Sequence, residues 1–175
     1  MLGGALGCGG AVSQARDYLK TAHEEGLEVS KSLGKLGKKT GQTPPENIEA
    51  KKKLYLEIVE LIGAVKAAAE KTKSHYDKVL KLKDVKDYKD YASLKIKALD
   101  LLIKQMGLIG DLYAVISKAA EDEAAGRPVD QAAVSAQMSA LISEIGKVEE
   151  ETTKAKKDAA DIGDELNLEF LKEKK

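Results

Sequence analysis

His23, His75 and Cys8 are the only imidazole and thiol groups in this sequence. A metal centre, a haem ligand or a nucleophile working near neutral pH would draw on them first. Their spacing argues against most such centres. Neither histidine has a second ligand three or four residues away, and there is no Cys-x-x-Cys-His. The carboxylates cluster with each other, as in Glu121-Asp122-Glu123 and Glu149-Glu150-Glu151, and none supplies the Glu-x-x-His step of a di-iron bundle. Such runs read as solvated helix faces. No phosphate-binding glycine loop or nucleophile elbow occurs, and Gly3-Gly4 and Gly9-Gly10 follow no strand. The expectation is a protein that is not an enzyme and needs no cofactor. His23, His75 and Gln105 are retained as candidate ligand-binding residues for an alternative, a small-ligand or haem-binding bundle.

Cys8 points elsewhere. With one cysteine there is no internal disulfide. Small and apolar residues lead straight to it, Ala5-Leu6-Gly7-Cys8, and Gly9-Gly10 follow. This head resembles the lipobox of bacterial lipoproteins, with Ala5 where that motif usually carries leucine. The resemblance implies removal of residues 1–7 and a diacylated Cys8 at the new N-terminus. It also implies export, with Gly9 after the cysteine favouring the outer membrane or its periplasmic face. A basic and then apolar stretch upstream of Met1 is the corresponding expectation. Without a lipobox the location would be cytoplasmic.

The rest of the chain is built to position something, and its pattern is helical. Apolar residues recur in alternating steps of three and four through four segments, which keeps one stripe of each facing a partner. The first segment is read over 12–36, with Val12, Ala15, Leu19, Ala22, Gly26, Val29, Leu33 and Leu36 as its seam. The stretch 37–43 reads as a loop. Thr43-Pro44-Pro45-Glu46 then reads as a capping-box start with proline in the first helical position. The second helix is expected over 44–83, with a seam of Tyr55, Ile58, Ile62, Val65, Ala69, Thr72, Tyr76 and Val79. Asp84 or Asp87 is the expected cap of the third helix. Its seam is read as Tyr91, Leu94, Ala98, Leu101, Gln105, Leu108, Leu112, Val115 and Ala119. Flanking apolar rows widen that stripe, so the third helix is expected to be the most buried.

Gly126 suits a helix C-terminus and Asp130 an N-cap, with Val129 and Val134 placed as a hydrophobic staple. The fourth seam runs Val134, Met138, Leu141, Ile145, Val148, Thr152, Ala155, Ala159, Ile162 and Leu166. Helices two to four would each hold about 40 residues and reach about 60 Å. The short turns between them make neighbours antiparallel. The predicted fold is all-α, an elongated antiparallel up-down-up-down four-helix bundle with a shorter first helix. A head over 1–11 precedes one domain over 12–172, and the charged residues 172–175 are expected to fray.

Gly63 and Gly107 lie at similar height on antiparallel helices, as do Gly110 and Gly146. Tolerated glycine is the simpler explanation, and a waist with a ligand cleft or hinge the sharper one. Gln105 is expected to set register within the seam rather than to bind a ligand.

Composition narrows the function classes. Lys+Arg and Asp+Glu are both 29, so there is no net basic charge to meet nucleic-acid phosphates. There is no Trp and one Phe, too few aromatics for a β-sandwich or barrel. The most apolar stretch, 101–116, is interrupted by Lys104, Gln105 and Asp111 and is not a bilayer span. The expected function is that of an envelope-tethered lipoprotein acting as scaffold, spacer or protein-binding module. A self-assembling structural subunit, and hence a homo-oligomer, is the alternative.

Overall fold

The computed structural model describes residues 8–171. Four α-helices and one short 3-10 turn are formed by these residues: α1 (Cys8–Thr40), α2 (Ile48–Leu80), α3 (Lys86–Ala124), α4 (Gln131–Glu165) and the turn Glu169–Leu171. The fold is an all-α four-helix bundle, with no strand among the described residues. Residues 1–7 and 172–175 lie outside them, and so does the Cys8 side chain.

Side-chain pairs fix the directions. Lys71–Glu25 and Lys39–Glu57 join α2 to α1, so numbers rise on one helix as they fall on the other. Tyr55 with Tyr113 and Tyr76 with Tyr91 do the same for α2 and α3. Lys104–Glu144 at 3.1 Å, and Gly163 beside Tyr91, do it for α3 and α4. The helices pack in chain order, α1 on α2, α2 on α3, α3 on α4, while α1 and α4 scarcely touch.

The second seam is realised in full. Tyr55, Ile58, Ile62, Val65, Ala69, Thr72, Tyr76 and Val79 are all buried. Helix α2 lies between two neighbours along its length, so both flanks of its stripe are covered. It carries nine buried residues against six on α3, which corrects the expectation that α3 would be the most buried. Tyr91 and Ala98 of the predicted α3 stripe are buried, but beyond them the buried row sits one residue off the predicted one. Leu102 and Met106 are buried, while Leu101, Gln105 and Leu108 are half-buried. Helix α3 divides its apolar surface between α2 and α4, so no single row is the seam.

Helix α1 is not the short one. It holds 33 residues, as many as α2. Residues 37–40, expected as loop, continue the helix because Leu36 is buried and Lys39 pairs with Glu57 of α2. Helix α2 starts later than expected. Asn47 is the cap, its Oδ1 accepting from the N–H groups of Glu49 at 2.8 Å and Ala50 at 3.3 Å. A proline disfavours helical backbone in the residue before it, so Pro45 acts on Pro44 and Pro44 on Thr43. Neither Asp84 nor Asp87 caps α3. Val85 occupies the cap position with no side-chain bond and is itself buried, and Asp84 takes a left-handed φ of 57°. At α4 the expectation holds: Asp130 Oδ1 accepts from Ala133 N–H at 3.0 Å, and Gly126 has φ 68° after the end of α3.

Two apolar clusters form the core. One joins all four helices around Leu19, Tyr76, Val79, Tyr91, Ala159 and Leu168. The other, around Ile58, Ile62, Val65, Leu102 and Met106, involves α1, α2 and α3 only. Helix α4 is thus buried in its C-terminal half, at Val148, Thr152, Ala155 and Ala159. In its N-terminal half Val134, Met138, Leu141 and Ile145 are half-buried and Ile142 is 55% exposed.

Candidate functional site

A groove of about 250 Å³ is lined by residues of α1, α2 and α3 together with Lys156 of α4. Small side chains make the space. Ala22 and Gly26 face it from α1 and Ala98 from α3. A Cβ placed on Gly26 would meet only Thr72 Cγ2, at 3.9 Å. The floor is Thr72 and Tyr76 of α2. Thr72 is buried and its hydroxyl donates to Ala68 C=O at 2.9 Å, so it presents its methyl side to the groove without an unpaired donor.

Charge in the groove is one-sided. Its charged lining residues are Lys95 of α3 and Lys156 of α4, and no carboxylate lines it among the described residues. Lys95 is half-buried, with its ammonium 5.9 Å from the centre of the Tyr91 ring. Burial, and then repulsion from Lys156, hold the Lys95 pKa below the usual lysine range. Nearby lysines fare differently: Lys73 is paired with Asp100 at 2.6 Å and Lys104 with Glu144. Burial also raises the two tyrosines at this level, Tyr91 to about 12 and Tyr76 well above the usual phenol value.

The candidate residues from the sequence are not brought together. His23 lines the groove and its ring lies against Phe170, centroids 5.7 Å apart. His75 is half-buried on α2 next to Lys78, whose Nζ is 3.4 Å from His75 Nδ1, and does not line the groove. Gln105 is half-buried and lies further along α3 than the groove, which ends at Leu102. Among the described residues there is no group of three His, Cys, Asp or Glu side chains that would hold a metal ion. Cys8 opens α1, at the end of the bundle where Arg16 Nε donates to Tyr88 Oη at 3.0 Å.

The glycine level is ordinary. A Cβ on Gly63, Gly110 or Gly146 would meet nothing within 4 Å, and on Gly107 only the end of Lys66 at 3.7 Å. The tightest glycine among the described residues is Gly163, where a Cβ would lie 2.9 Å from Leu171 and 3.1 Å from the Tyr91 ring. It lets the 3-10 turn fold back over the end of the bundle.

Lys95 and Lys156 were missed by sequence reasoning. In a chain with 29 basic residues a lysine carries no signal of its own. The signal would have been the level: Ala22 and Gly26 opposite Ala98, with two lysines and no acid beside them. No helix is long and apolar enough to cross a membrane among the described residues. No protein-family model, curated protein or solved structure matches this chain.

Proposed function

We propose that the chain is a non-enzymatic, envelope-tethered helical lipoprotein that serves as scaffold or spacer and presents its bundle to a protein partner. Cys8 would be the lipid anchor, exported and held at the outer membrane or its periplasmic face. The supporting observation is the polarity of the bundle. Cys8 stands at the end formed by the start of α1, the end of α2 and the start of α3. Among the described residues the large exposed apolar side chains, Leu56 (65%), Val59 (50%) and Ile142 (55%), all lie in the opposite half. Tethering at one end would leave these side chains on the half that points away from a membrane, where a partner could meet them.

A photo-crosslinking residue at Ile142, in the chain expressed in its native host, tests the presenting half. The expected result is a discrete adduct heavier than two copies of the chain or distinct from them in mass. The same residue at Lys83, near the Cys8 end, should give none. An adduct of two copies would instead favour the second reading, a self-assembling subunit, which the same exposed residues support. The absence of any adduct would count against both.

A further inference from the structure

We propose that the groove between α1 and α3 binds a small amphiphilic anion, with its head on Lys95 and Lys156 and its apolar body against Val29, Leu33, Leu99 and Leu102. The inference goes beyond the scaffold role and does not depend on it.

Three features of the groove converge. The first is space. A dry apolar cavity of about 150 Å³ admits benzene, and this groove offers about 250 Å³. The second is lining. Its walls are aliphatic except for a few polar groups, as small-molecule sites usually are. The third is sign. A half-buried ammonium is costly unless it is paired. The groups facing Lys95 are Tyr91 on its own helix, Tyr76 from α2, His23 from α1 and Lys156 from α4. None of these is an acid. A carboxylate or phosphate head would supply the missing counter-charge to both lysines at once, through charge-assisted hydrogen bonds. A neutral ligand would leave both unpaired, and a cation would add a third like charge.

Gly26 keeps the site open. Its helix would be more stable with almost any other residue there. Only Thr72 Cγ2 lies near, at 3.9 Å, so the backbone needs no glycine for packing. A side chain at that position would enter the groove.

The test uses the full chain and three probes of equal chain length: octanoate, octyl phosphate and 1-octanol. Amide chemical shifts of Gly26, Ala98 and Leu102 report occupancy. Octanoate or octyl phosphate is expected to bind about tenfold or more tightly than octanol, the value of a charge-assisted hydrogen bond. Whichever anion binds tighter identifies the preferred head. The double variant Lys95→Met/Lys156→Met should bring the anions down to the level of octanol and leave helicity unchanged. Lys95→Gln/Lys156→Gln serves if the methionine variant fails to fold. Gly26→Leu should abolish binding of all three probes. Equal binding of octanol and the anions, anion affinity that survives loss of both lysines, or no binding of any probe up to millimolar concentration would each overturn the proposal.

Discussion

Single residues show where local chemistry decides and where context does. Asp130 caps α4 as its type and position predict, with Ala133 N–H bonded to its side chain. Thr43 does not cap α2 because two consecutive prolines override the motif, and Asn47 does the work instead. The mid-bundle glycines have open space where a methyl would go. Gly63→Ala and Gly146→Ala should therefore each stabilise the fold by about 0.5–1 kcal/mol. That raises the melting temperature by about 2–4 °C for each kcal/mol in a domain of this size. Gly163→Ala should lower it, because its Cβ would press on the Tyr91 ring. Thermal unfolding of the three variants checks both signs; a Gly63→Ala variant that melts lower would restore the idea of a tight waist.

The buried phenols give a pH signature at the same scale. Tyr91 is raised to about 12 and Tyr76 is raised well above the ordinary value near 10. Both are raised in the folded state, so the neutral form is the one the fold favours. Their contribution is fully present below about pH 10, and it is lost as pH climbs through the folded values. Tyr91 and Tyr76 should therefore both stay largely protonated at pH 11, and the folded chain should show fewer than six ionised phenols there. Absorbance at about 295 nm during alkaline titration reads this. A single transition of all six near pH 10, with circular dichroism unchanged, would contradict it.

Helix α2 was the element most legible in the sequence: every residue of its predicted seam is buried. The pattern was less informative for α3, which shares its apolar rows between α2 and α4. It was misleading for α4, whose stagger is continuous while its burial is not. Periodicity records which face is apolar, not whether a partner reaches it. From Val148 onward α4 carries buried residues and Ala159 joins the four-helix cluster; before that none of its residues is buried. Hydrogen exchange should therefore split α4. Amides over 131–146 should exchange faster, by about tenfold or more, than those over 148–162, because few buried contacts oppose local opening there. Ile142→Ser should leave stability within about 0.5 kcal/mol, as exposed substitutions do. Uniform protection along α4, or a large loss on Ile142→Ser, would show that its first half is packed more tightly than its exposure indicates.

At the scale of the whole molecule the helix count and the chain-order packing followed from spacing and turns. The candidate site did not, because it exists only where four helices reach one level. Lys95 and Lys156 are 61 positions apart and resemble the other lysines until Ala22, Gly26 and Ala98 leave room beside them. The molecule thus has two ends and an open flank: Cys8, the proposed anchor, at the start of α1, the exposed Leu56, Val59 and Ile142 in the opposite half, and a cationic groove between. The proposed tether would orient the rest, and it is tested most directly by the mass of the N-terminal peptide of the protein taken from its native host. A peptide beginning at Cys8 and carrying a diacylglyceryl group, recovered from the membrane fraction, is the predicted result. An unmodified Cys8 inside a peptide that still includes Leu6 and Gly7, recovered from the soluble fraction, would contradict it.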